Sequence, residues 1–479
     1  MGFEESIFGR ASAWVYQTTP LLMLAAYCVA SFFLYLLLPA LVHEIIWYIF
    51  AVLQTLTSIS VFTEAIHSLR PSIHARRELR QEKKEPWSPP PNQSWPHIDI
   101  VLVAYLPNEE AIIMKQARYA LSRIDYPSDH MTLNIVYNTP KPMPAIEEEL
   151  LHLQDLHRNV RVIKVPHSRS KAENINHFLS LAAPQGEIIT IYDTDHYAEP
   201  SALRLVARRF LSGEVDIIQG RCCVYNYSDS IIARLVACEF DMIYGVMHLG
   251  RAHLHAYGFF GGSNGHWNAS LLRSIRMDPN MMTEDIDSSM RAIISGARIE
   301  YDVRIESYEQ APTTISALLT QRLRWSQGWT QVTFKHFLPA LKRGAYSNNN
   351  GLRSKLGLLQ LLLYREVYYY INSQLFWILI SSLCTTLPRQ GFHEFFKNFG
   401  GFSIAMWTLF VNFACLAVVM AITQRNRSHF TNKWGIISFS LSLVFYYIVV
   451  SHVAIMCHFR EMTGYKQWIA TKRSSHRVK

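Results

Sequence analysis

The chain has 479 residues, 49% of them hydrophobic and 17% charged, with a formal net charge of +9. It is more apolar than a typical soluble enzyme, so part of it leaves water. Its basic residues gather beside apolar segments and not along one aromatic-studded face, which argues against nucleic acid and for membrane phosphate as the counter-charge; its seven cysteines show neither C-x-x-C nor zinc-ligand spacing and read as scattered reduced thiols.

Two uncharged runs come first, Pro20 to Leu41 and Ile45 to Phe62, separated by His43 and Glu44. Each is close to the length of about 20 residues that crosses a bilayer as a helix. A cleaved leader fits poorly, because the first run is long, follows Glu4 and Glu5, and is succeeded at once by another. Arg70, Arg76, Arg77, Arg80, Lys83 and Lys84 then place the next segment in the cytoplasm, and the proline-rich stretch from Pro86 to Pro96 is a stiff spacer.

From Ile98 the pattern changes. IDIVLVAY, LNIVY, VRVIKV and EIITIYD read as strands, separated by helical runs such as EEAIIMKQARYALSRI and SKAENINHFLSLA. This alternation predicts an α/β domain with a largely parallel, Rossmann-like sheet, whose ligands sit beyond the carboxyl ends of the strands. Uncharged or nearly uncharged spans return at Val367 to Pro388, Asn398 to Gln424 and Trp434 to Cys457. Three crossings put the loop of Arg425, Arg427 and Lys433 inside, but they put the basic tail (Arg460, Lys466, Lys472, Arg473, Arg477, Lys479) outside, against the positive-inside rule. The expected division is 1–66 two membrane helices, 67–97 basic and proline-rich linker, 98–312 catalytic domain, 313–366 interfacial helices, 367–457 about three membrane helices, and 458–479 basic tail. A multi-pass protein of the plasma (inner) membrane with a cytoplasmic catalytic domain follows.

The fourth predicted strand ends in Asp193-Thr194-Asp195. Two carboxylates at the ligand edge of a sheet can hold Mg²⁺ or Mn²⁺ against a departing diphosphate, although an isolated D-x-D is more often a solvated turn. A second acidic cluster, Thr283-Glu284-Asp285-Ile286-Asp287, opens a helical run, where acids also suit the helix dipole and Thr283 is a candidate cap. A carboxylate there could take the proton from an acceptor hydroxyl if burial or a neighbour such as Glu284 raised its pKa. In the helical run from Thr313 to Phe337, Gln321, Arg324, Trp325 and Gly328 share one face. Arg suits phosphate, Trp a sugar ring and Gln hydroxyls, while the competing reading is an interfacial Trp/Arg belt.

The opening strand with Tyr105-Leu106-Pro107-Asn108-Glu109, then Lys171 with Asn174 and Asn176, then Asp193-Thr194-Asp195, Thr283-Glu284-Asp285 and Gln321-Arg322-Leu323-Arg324-Trp325 occur in one order between membrane spans. In this the chain resembles the family 2 processive glycosyltransferases, the group of cellulose, hyaluronan and chitin synthases. The resemblance implies a GT-A fold and an inverting displacement. Tyr105 and Glu109 would help seat uridine, Lys171 would approach the donor, and Asp193 and Asp195 would bind the diphosphate and its Mg²⁺ or Mn²⁺. Asp285 would be the general base beside Glu284, Gln321 and Arg324 would hold the diphosphate, and Trp325 would stack under the acceptor's terminal sugar. Gly261, Gly262 and Ser263 match the small-residue segment at the acceptor entrance. The chain departs from the pattern at Asn138, where an acidic residue often contacts the base or ribose and where Asn138 could still hydrogen-bond a base of the donor, and at His266-Trp267-Asn268, where aliphatic residues and arginine are common.

The leading expectation is inverting transfer from a nucleotide sugar, UDP-glucose or UDP-N-acetylglucosamine, to a growing β-linked polysaccharide, with translocation through the helices. One base, one metal and no positioned nucleophile fit a single displacement. The alternatives are transfer of one sugar to a membrane lipid and, in another class, a non-catalytic channel or scaffold subunit. The partners expected are a nucleotide-sugar donor, a glycan acceptor and the lipid bilayer; a homo-oligomer or accessory export subunits are compatible with this.

Overall fold

The computed structural model describes residues 7–181, 186–343, 351–397 and 402–465. The sheet-forming part contains β1 (Ile98–Tyr105), β2 (Met131–Asn138), β3 (Val160–Lys164), β4 (Ile188–Asp193), β5 (Tyr197–Ala198), β6 (Ile217–Val224), β7 (Gly265–Asn268) and β8 (Ile299–Glu309). They form one sheet in the order β3-β2-β1-β4-β7-β6-β8-β5. The four strands expected from sequence pair in parallel, whereas β7 runs antiparallel to both β4 and β6. The result is a mostly parallel mixed sheet.

Alternation along β1 builds both layers. Ile98, Ile100, Leu102 and Ala104 enter one core, under helices Leu106–Arg123, Pro144–Leu156 and Ala202–Leu211. Val101 and Val103 enter the other, with helices Lys171–Ser180, Glu284–Ser295 and Ile315–Arg343. Because both faces are covered, the strands read as continuous apolar runs. Register then fixes the functional edge: Tyr105 pairs with Asn138, and Val103 with Asp193, so β1, β2 and β4 end together.

Among the described residues, four helices are long and apolar enough to cross a membrane: Trp14–Leu37, Leu41–Glu82, Met406–Asn426 and Lys433–Met462. Their outward residues, such as Leu22, Phe33, Phe410 and Phe445, are large, apolar and exposed, as lipid contact requires. The expected span Val367 to Pro388 lies on helix Arg365–Lys397, which is not one of the four. Its hydroxyl and amide residues lower its hydropathy, and they are hydrogen-bonded to neighbouring helices: Asn372 to Ser451, Ser373 to His452, and Gln374 to Tyr27, Ser31 and Tyr35. Part of the expected span from Asn398 and the tail from Lys466 onward lie outside the described residues.

The helices are fastened to the sheet-bearing unit by buried charge. Glu64, in helix Ala40–Glu82, pairs with Arg251 at 3.1 Å and accepts from Gln360 at 2.9 Å. The backbones also touch there, since a Cβ on Gly250 would lie 1.8 Å from the Glu64 carbonyl oxygen. Arg221 on β6 pairs with Asp241 at 2.8 Å and donates to the Asn426 carbonyl, and Asp241 accepts from the Ser428 amide. The loop after Asn426 therefore rests on the α/β unit. So does the far end of the next helix, where Glu461 accepts from Gln327 and Gln331. Both ends of Lys433–Met462 thus carry polar contacts to the sheet-bearing unit or its covering helix.

Candidate active site

At the end of β1 the chain turns directly into helix Leu106–Arg123, and the Glu109 carboxylate accepts from the Tyr105 amide at 2.9 Å, capping the helix. At the end of β2, Asn138 donates to the Ser168 carbonyl at 2.9 Å and accepts from Asn174 at 2.8 Å. Its amide thus ties the loop before helix Lys171–Ser180 to the sheet edge. Ser170 caps that helix by accepting from the Glu173 amide. Asn176 holds the backbone of Met277 through a donated bond of 2.7 Å and an accepted one of 2.9 Å. The K-x-x-N-x-N pattern is a set of struts that aims Lys171.

The Lys171 ammonium meets Asp193 at 2.5 Å and the Gly262 carbonyl at 2.6 Å. Burial works against its charge, but the Asp193, Glu284 and Asp285 carboxylates outweigh that and raise its pKa above the usual value. Asp193 donates its backbone N–H to Ser263 Oγ at 3.1 Å, which fixes the turn after β4. Asp193, Asp195 and His196 present ligand atoms within 4.8 Å of one another. The hard carboxylate oxygens of Asp193 and Asp195 fit Mg²⁺ or Mn²⁺. Both ring nitrogens of His196 are taken, Nε2 by Glu309 at 2.7 Å and Nδ1 by Ser307 at 3.2 Å, so His196 braces the turn and is not a free ligand.

Gly262 has φ +99°, and a Cβ there would lie 2.6 Å from Asp285 Oδ2. The glycine is required by its left-handed backbone and by the approach of that carboxylate. Gln219, fully buried on β6, grips the segment from beneath: it accepts from the Gly261 amide at 2.8 Å and donates to the Ser263 carbonyl at 3.0 Å. Glu284 and Asp285 open helix Glu284–Ser295, and burial raises both pKa values, that of Glu284 to about 7 with help from the Asp285 charge. Thr283 makes no side-chain cap; it packs instead against Gly328.

Helix Ile315–Arg343 covers this cluster. Its Arg324 acts on Glu284 and Asp285, favouring their charged forms. Gln321 Oε1 and Arg324 Nε are buried with no hydrogen-bond partner among the described residues, and such atoms point to a polar ligand. Trp325 is half-buried, with the Arg322 guanidinium 4.6 Å from its ring centre and Phe240 packed beside it. A Cβ on Gly328 would lie 2.4 Å from Thr283 Cγ2 and 2.5 Å from Oγ1. Gly328→Ala is therefore expected to displace the 283–285 segment and lower kcat by about tenfold or more, with nucleotide affinity unchanged in a binding titration.

Lys171, Asp193, Asp195, Gly262, Ser263, Glu284, Asp285 and Arg324 come together here, Gln321 lies one turn before Arg324 on the covering helix, and Glu109 and Asn138 make the structural bonds just described. His266-Trp267-Asn268 does not reach the site. His266 bonds Thr190 and Asn264 inside the sheet, Trp267 is core, and Asn268 caps a short helix. The sequence reading missed Gln219 and His196. His196 had a signal, its place directly after the D-x-D; Gln219 had only a polar residue in an apolar strand.

Residues 188–459 match the family described as Glycosyl transferase family group 2. Among curated relatives, the poly-β-1,6-N-acetyl-D-glucosamine synthase of Staphylococcus epidermidis is 24% identical over 321 residues, covering 64% of this chain and 73% of the relative. A probable glucomannan 4-β-mannosyltransferase of Oryza sativa subsp. japonica is 24% identical over 294 residues, covering 60% and 46%. Among solved structures, the mannosyltransferase of Pyrobaculum calidifontis, in complex with GDP-Man and Mn²⁺, superposes with a TM-score of 0.52 at 17% identity, covering 86% of this chain and all of that one. This likeness fixes the fold as GT-A.

Proposed function

Since the chain belongs to glycosyl transferase family group 2 and is a glycosyltransferase, we propose that it transfers a sugar, with inversion, from UDP-N-acetylglucosamine or UDP-glucose to the end of a growing β-linked polysaccharide. The observation that carries the chemistry is the cluster at the carboxyl edge of the sheet: Lys171 on Asp193 at 2.5 Å, Asp285 against Gly262, and Arg324 above both acids with its Nε unsatisfied.

In this reading Asp285 accepts the proton of the acceptor hydroxyl as its oxygen attacks the anomeric carbon, and the glycosidic bond to the diphosphate breaks on the opposite side. Lys171 and Arg324 face the diphosphate as its charge grows, and Gln321 Oε1 accepts a hydrogen bond from a sugar hydroxyl. Asp193 and Asp195 would hold Mg²⁺ or Mn²⁺, which supplies positive charge at the phosphate oxygens. Burial opposes the ionisation of Asp285 and strengthens it as a base. Trp325 offers the acceptor sugar the edge and face left open by Arg322.

The polymeric product is supported by the names of the two relatives and by the polar seam between the apolar helices, where Tyr27, Tyr35, Asn372, Ser373, Gln374 and His452 give a hydroxyl-rich chain bonding partners. The test is to supply membrane-reconstituted protein with radiolabelled UDP-sugars and Mg²⁺ or Mn²⁺ and separate the products. Label in high polymer supports this reading and names the donor; label only in extractable lipid replaces it with single transfer, and no turnover of any donor sinks it.

A further inference from the structure

Gln331 lies two turns beyond Arg324 on helix Ile315–Arg343, and its side chain is engaged at both ends. Its Oε1 accepts from the Met282 amide at 3.1 Å, and its Nε2 donates to Glu461 Oε2 at 3.1 Å. The same carboxylate oxygen accepts from Gln327 at 3.2 Å, and Gln327 is fully buried. Cys457 adds a bond from Sγ to the Leu323 carbonyl at 3.2 Å, so the last two turns of helix Lys433–Met462 lie along the covering helix. Met282 immediately precedes Thr283-Glu284-Asp285, and Thr283 is already seated on Gly328.

The directions of these bonds are forced. An ionised carboxylate only accepts and a backbone N–H only donates, so Glu461 on one side and Met282 on the other leave Gln331 one orientation. Without Glu461 the Nε2 end of Gln331 loses its anchor, and the side chain is left on the single bond from the Met282 N–H, free to swing with it. Resting on the transfer reading above, we propose that Glu461 is a positioning residue for the reaction: acting through Gln331, it holds the backbone that carries Glu284 and Asp285. The end of the last described helix is thus built into the alignment of the general base.

A second tie distinguishes positioning from packing. Asp287, three residues beyond Glu284, bonds His336 at 2.7 Å, Lys335 at 2.8 Å and Arg291 at 2.8 Å. These contacts keep helix Glu284–Ser295 docked when Glu461 is changed, so the loss should be local and kinetic.

The experiment compares full-length wild type, Glu461→Ala and Glu461→Gln by hydrogen exchange and by steady-state kinetics. In Glu461→Ala, exchange at residues 282–285 should rise by about tenfold, and kcat should fall by about tenfold with donor KM within about twofold. Glu461→Gln keeps an oxygen that can accept from Gln331 and should recover most of both. Unchanged exchange and rate in Glu461→Ala would overturn the proposal. So would a Gln variant as impaired as the Ala variant, or faster exchange spread evenly along Ile315–Arg343, which would mean lost packing. If the wild type itself turns over no nucleotide sugar, the transfer reading falls, and the exchange rates decide the positioning claim without it.

Discussion

Asp285→Asn is expected to lower transfer by about a thousandfold while leaving donor affinity within about twofold, because it removes a proton acceptor without removing a ligand of the phosphate. The amide fills the same space beside Gly262, which the missing Cβ leaves open for Asp285 Oδ2, so the loop does not collapse. The same carboxylate sets the acid side of the wild-type pH profile. Burial, and for Glu284 also the charge of its neighbour, raise both pKa values, with Glu284 reaching about 7, while Lys171 and Arg324 pull the other way and lose. A base must be deprotonated to act, so activity is complete above the raised pKa and disappears as pH falls through it. The acid limb of kcat/KM should therefore stand above the ordinary Asp value of about 4. Pre-steady-state rates and nucleotide titration check the first claim, and a pH series checks the second; an Asn variant that still transfers at the wild-type rate would remove Asp285 from the mechanism.

The residues that a sequence displays well are those whose job follows from position along an element. The four parallel strands stood out because burial on both faces makes them continuous apolar runs, and Asp193 stood out because it ends one of them. Gln321, Arg324 and Gly328 were legible as one helical face, and the structure gives that face its neighbour, Thr283, through the missing Cβ of Gly328. What could not be read is whatever depends on a partner distant in sequence. Asn138 looked available to a nucleotide base, but Asn174 and Ser168 take both ends of its amide. His266-Trp267-Asn268 looked like a change at the acceptor entrance, yet β7 is inserted between β4 and β6, and that pairing buries the first two. The antiparallel insertion has no local signature, because a four-residue strand is too short to show a period. The buried pair of Glu64 and Arg251 is of the same kind: one charge in an apolar helix reads as an interruption until its partner is found 187 residues away.

Asp193→Ala should weaken cation-dependent binding of the nucleotide sugar by about a hundredfold, or about 2.7 kcal/mol, and should leave the weaker binding measured in EDTA nearly unchanged. Asp193 has two tasks that this comparison separates. Its carboxylate is one of two hard oxygen donors in the Asp193, Asp195 and His196 group, and it is also the counter-ion of Lys171. If the first task dominates, the loss appears only with Mg²⁺ or Mn²⁺ present, since a divalent ion deprived of one carboxylate is held much less tightly. If the second dominates, Lys171 is left between Gly262 and the Glu284–Asp285 pair, moves toward those acids, and withdraws from the phosphate with or without a cation. Asp193→Asn sharpens the distinction, because its amide oxygen can still accept from Lys171 but supplies no charge to a metal. Calorimetric titration of the three proteins in Mn²⁺ and in EDTA gives the answer. Equal losses for Ala and Asn in Mn²⁺ alone assign Asp193 to the cation; a loss in EDTA that Asn repairs assigns it to Lys171 and leaves Asp195 as the cation's principal holder.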